Sequence, residues 1–89
     1  MEETYYVITF PNSHTAMAAQ KLLTECQIPI FMMPTLRELS DSCGLSIRFN
    51  PADSRHVRFA LAEDALLQDR HQIYLVSHDA NGCRIIEKA

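Results

Sequence analysis

The side chain in this sequence best placed to do chemistry is the thiol of Cys43. It lies in the run from Pro34 to Phe49, directly after Ser40, Asp41 and Ser42 and directly before Gly44. Unpaired cysteines usually end up in apolar cores, and three polar residues in a row argue against that fate. An exposed thiol beside a flexible glycine is a candidate nucleophile or atom carrier. Its reactive form is the thiolate, which a helix N-terminus or a nearby Arg, Lys or protonated His stabilises.

The elements that must position this thiol follow from patterning. Thr4 to Phe10 is aromatic and β-branched and predicts a strand. Pro11 to Ser13 stops it, with Asn12 or Ser13 as helix cap. From His14 to Cys26 the apolar residues Ala16, Ala19, Leu23 and Cys26 fall at helical spacing, and Gln27 to Pro29 ends the helix. Ile30 to Met33 predicts a short apolar strand, Leu36 to Leu39 a single helical turn, and Leu45, Ile47 and Phe49 a half-buried strand. Asn50, Pro51 and Asp53 open a second helix expected to reach about Leu67, burying Val57, Ala60, Leu61 and, beside Asp64, Ala65 and Leu66. Gln72 to Val76 is the fourth strand. Asp79 to Gly82 is a turn, from which Cys83 to Glu87 returns as a fifth.

The order β-α-β-β-α-β with a C-terminal hairpin predicts an α+β fold. The expected architecture is a ferredoxin-like two-layer sandwich, with both helices on one face of an antiparallel sheet. This topology puts three connections at one edge: residues 11–14, 34–43 and 68–71. Cys43 is thereby expected beside the start of the first helix, with His14, Arg37, Arg70 and His71 as the available cations. Glu38 and Asp41 oppose them electrostatically.

Each of these residues also has a plainer role open to it. Cys43 can fill space under a turn, while Pro34 fixes and Gly44 relaxes the loop backbone, glycine through left-handed conformations. Arg37 can be a solvated side chain and His14 a surface residue. Cys26, on the helix stripe, and Cys83, at a strand start, read as structural. No Cys-x-x-Cys or His-x-x-x-His pair is present, so no metal site is expected, and no glycine-rich phosphate loop indicates a cofactor.

The chain has 89 residues, net charge −3 and 47% hydrophobic residues, which predicts one globular domain over 1–89. Its eight Lys and Arg are scattered, which disfavours nucleic acid as a partner. No run approaches the roughly 18 apolar residues of a membrane span. The start Met1-Glu2-Glu3 is acidic, unlike a signal peptide. Three widely spaced cysteines make no disulfide framework, and the expected compartment is the reducing cytoplasm.

Residues Tyr5 to Ala19 and Pro34 to Phe49 together resemble the selenium/sulfur (Se/S) carrier-like proteins, small bacterial domains. The most specific part is Arg-x-x-Ser-x-x-Cys-Gly, formed here by Arg37, Ser40, Cys43 and Gly44. The resemblance implies that the Cys43 sulfur carries sulfur or selenium as a persulfide-type adduct. By the same resemblance, Arg37 and Ser40 position or stabilise the adduct and Gly44 gives a partner access. It implies a donor such as a cysteine desulfurase and an acceptor protein, making the chain a carrier rather than an enzyme.

The alternative is a ferredoxin-like interaction or small-ligand-binding module in which Cys43 is structural. Its support is the apolar character of both faces of the strands Tyr5 to Phe10 and Ile30 to Met33, which predicts a cover over the open face, such as a second copy in a homodimer. A thiol-dependent enzyme is a third reading, with His14 the candidate base.

Overall fold

A computed structural model describes residues 4–39 and 44–89. The chain is α+β: strands β1 (Tyr5–Thr9), β2 (Phe31–Pro34), β3 (Leu45–Phe49), β4 (Gln72–His78) and β5 (Arg84–Lys88), with helices α1 (Ser13–Glu25) and α2 (Ser54–Ala62). The strands form one sheet in the order β2-β3-β1-β4-β5, with every neighbouring pair antiparallel. Alternation divides the sheet cleanly. Ile8, Phe10, Ile47, Phe49 and Ile73 face the helices and meet Ala16, Ala19 and Leu23 of α1 and Val57, Ala60 and Leu61 of α2. On that face the Tyr6 and Phe49 rings stack at 5.2 Å between centroids. Tyr5, Val7 and Val76 point to the other face and form a second buried cluster.

Local chemistry explains the ends of α1. The Asn12 side chain accepts from the Thr15 backbone N–H and from its hydroxyl, both at 2.8 Å, which caps the first turn. At the other end Ile28 N–H donates to the Leu23 carbonyl and Gln27 N–H to that of Thr24, each at 3.0 Å. This is the Schellman arrangement, and it needs a left-handed residue that glycine usually provides. Here Gln27 takes it, at φ 61°. Cys26 becomes the C-cap and is exposed, so it does not complete the buried stripe expected of it. Cys83 is exposed as well, directly before β5.

The second helix is shorter than its pattern suggests. A 3-10 turn over Pro51–Asp53 precedes α2, which stops at Ala62 rather than near Leu67. Asp64 accounts for the stop: its Oδ1 accepts from Leu66 N–H at 2.9 Å and Leu67 N–H at 3.1 Å, groups a continuing helix would bond to backbone carbonyls. Leu67 is nevertheless fully buried, delivered to the core by the turn instead of by helix. The β4–β5 connection forms as expected, with Asp79 Oδ1 accepting from Asn81 and Cys83 N–H and Gly82 at φ 82°.

Two outcomes test this account. Gln27→Gly should raise unfolding stability by about 1 kcal/mol in urea titrations, because it relieves a left-handed non-glycine residue. Phe49→Ala, at a fully buried and stacked position, should cost about 3–5 kcal/mol.

Candidate functional site

The connection carrying the candidate thiol is built on the β2–β3 hairpin. Its neck is tied where Pro34 pairs with Leu45 and Thr35 N–H donates to the Gly44 carbonyl at 3.1 Å. The Thr35 and Ser46 hydroxyls lie 2.8 Å apart in a side-chain hydrogen bond, and Ser46 is fully buried. Thr9 lies opposite both Ser46 and Gln72. The three connections therefore join the sheet at one end, the loop end, as the topology requires. Cys43 and Ser40 lie outside the described residues.

Beyond the neck, residues 35–39 turn over the sheet face that the helices leave uncovered. A 3-10 turn, Arg37–Leu39, closes with Leu39 N–H donating to the Leu36 carbonyl at 2.8 Å. Leu36 and Leu39 pack on the Tyr5, Val7 and Val76 cluster together with Met33 and Ile86. Glu38 reaches Arg84 of β5, Oε1 to Nη1 at 2.9 Å. Arg84 pairs with His78, at the end of the sheet away from the neck. The segment is thus a strap running diagonally from β2 to β5. It supplies from within the chain part of the cover for which a second copy was expected.

The sequence-selected cations are not gathered at one point. His14 lies in the first turn of α1 on the helix side, where it lines a shallow surface with Met17 and Lys21. Arg37 belongs to the strap on the opposite face and is exposed. At the loop end Arg70 Nη1 donates to the Leu66 carbonyl at 3.2 Å. His71 Nδ1 lies 2.6 Å from the Leu67 carbonyl; a carbonyl only accepts, so Nδ1 carries the proton. Both side chains thus fasten the turn before β4. They also line a groove of about 460 Å³ with Thr9, Pro11 and Gln72 at that end.

Gly44 is neither left-handed nor crowded, since a Cβ there would meet nothing within 4 Å. The left-handed conformation that glycine permits is not used here, and among the described residues nothing stands within 4 Å of where a Cβ would sit. Sequence reasoning missed two further cations of the open face. Arg48 lies over the Tyr5 ring at 4.1 Å, and Arg84 holds the strap. The alternation of β3 contained the first signal, because Ser46 and Arg48 are out of phase with Leu45, Ile47 and Phe49.

The strap should be held mainly by its leucines. Leu39→Ala should cost about 1–2 kcal/mol, given partial burial, and speed amide exchange across residues 36–39. Glu38→Gln should cost under about 1 kcal/mol, since the ion pair is 38% and 48% exposed. Unchanged exchange in Leu39→Ala would contradict this assignment.

Among the described residues, no helix is long and apolar enough to cross a membrane. No curated protein and no solved structure matches the chain. One protein family does match, over residues 5–70, a stretch that takes in β1, the strap, the Cys43 connection and α2. The chain belongs to the family described as "Putative Se/S carrier protein-like".

Proposed function

We propose that the chain is a sulfur or selenium carrier and that Cys43 is the carrier atom's anchor. The observation that carries this reading is the family match across residues 5–70, which includes the Arg37, Ser40, Cys43 and Gly44 pattern. The structure supplies a compatible setting. The connection is tied at its neck and strapped along residues 35–39, and no described residue would crowd a Cβ at Gly44. The strand order β2-β3-β1-β4, extended by β5, supports a ferredoxin-like reading of the scaffold. The reducing cytoplasm is the compartment in which such a thiol stays available.

The transfer balances without an added oxidant. The Cys43 thiolate attacks the terminal sulfur of a donor persulfide, for which a cysteine desulfurase is the proposed source. The donor's S–S bond breaks, its cysteine leaves as thiolate, and Cys43 holds the persulfide. An acceptor thiolate then attacks the outer sulfur and Cys43 departs as thiolate. A selenium atom in the outer position follows the same steps. His14, placed on the helix side, is a weaker candidate for a supporting role than Arg37, whose strap leads directly into the loop.

Loading is the test. Incubated with a cysteine desulfurase and cysteine, the wild-type chain should gain one sulfur atom by mass spectrometry, mapped to Cys43, and Cys43→Ser should gain none there. Equal loading of Cys43→Ser would sink the carrier reading. Gly44→Ala should keep stability within about 0.5 kcal/mol, as expected for an uncrowded exposed site, and slow discharge to the acceptor if partner access is its role.

A further inference from the structure

A second candidate site lies on the helix layer, away from the thiol loop. Between α1 and α2 runs a groove of about 580 Å³, within the size range of small-molecule sites. Leu22, Ile28, Phe59 and Ala60 give it an apolar lining. Phe59 is 68% exposed, the most exposed large apolar side chain among the described residues. It lies outside the buried stripe of α2, which is Val57, Ala60 and Leu61. Core packing therefore does not explain an aromatic ring on this wall.

The groove is also electrically polar along its length. Arg55 and His56, in the first turn of α2, line one end, and they continue into a neighbouring depression that Arg58 also lines. Glu63, the C-cap of α2, lines the groove as well, a helix length away. Among the described residues, neither Arg55 nor His56 has an ion pair or a side-chain hydrogen bond. A ligand with an apolar body and one anionic head fits this arrangement in a single orientation, with the head at Arg55 and His56 and away from Glu63.

We propose that the groove between α1 and α2 binds a small amphipathic carboxylate, with its tail against Leu22 and Phe59 and its carboxylate at Arg55 and His56. The site does not depend on Cys43. It contains its own reporter, because the exposed thiol of Cys26 lines the groove and the exposed thiol of Cys83 does not.

The experiment titrates decanoate, kept below micelle formation, into the full chain while alkylation is followed separately at Cys26 and Cys83. Decanol provides the same tail without the charge. The site requires saturable protection of Cys26 alone. Affinity should fall at least about tenfold for decanol and for Arg55→Glu, as expected for loss of a charge-assisted contact. Phe59→Asp should abolish protection. Both replaced side chains are exposed, so folding should survive; Arg55→Gln provides a milder second variant. Protection of both thiols, no saturable protection, equal affinity for decanol, or undiminished affinity in the folded Arg55 variants would each overturn the proposal.

Discussion

Val7 and Ile8 are neighbours in β1, point to opposite faces of the sheet, and are both fully buried. The central strand must therefore be covered on two sides, in a chain of only 89 residues with two α-helices among those described. The helices cover the Ile8 side. The Val7 side is covered by Leu36 and Leu39, carried by the strap between β2 and β3. Hydrophobic burial scales with the area removed from water, so this cover holds the strap more firmly than its exposed ion pair can. The arm leading to the candidate thiol is placed by core formation rather than by surface chemistry.

This has a functional consequence. A carrier thiol must meet two partners in turn, so it needs a fixed point of presentation and an open approach. The Thr35 and Ser46 hydrogen bond and the Thr35 to Gly44 backbone bond fix the neck, and the strap fixes one arm. Gly44 has no side chain, and among the described residues nothing lies within 4 Å of where a Cβ would sit. Its backbone has no positive φ that would demand glycine, so its proposed role is the space it leaves to a partner.

The strands and the first helix were legible because their signals are local: alternation in β3, the Asn12 cap, and the Asp79 to Gly82 turn. The early end of α2 was not, because Asp64 reads as an ordinary polar helix position until its side chain is seen on the Leu66 and Leu67 amides. Cys26 followed the helical spacing correctly but fell on the cap, where the helix opens to solvent. The strap was only half legible. Leu36 and Leu39 announced a helical turn, yet their docking on Tyr5, Val7 and Val76 and the reach of Glu38 to Arg84, 46 residues away, are long-range facts that no local pattern encodes. The topology did bring the connections of His14, Arg37, Arg70 and His71 to one end of the sheet, but it did not encode that His14 lies on the helix side and Arg37 on the strap across the other face.

On the proposed function, Cys43 must differ in chemistry from the other two thiols. Cys26 and Cys83 are both exposed, so a difference in reactivity against them cannot be ascribed to their burial. The most direct measurement is site-resolved alkylation of all three cysteines across pH, read by mass spectrometry. Cys43 should react fastest, by about tenfold or more near neutral pH, with a rate that begins to rise below the roughly 8.5 of an ordinary thiol. A Cys43 that reacts no faster than Cys26 and Cys83 would contradict it.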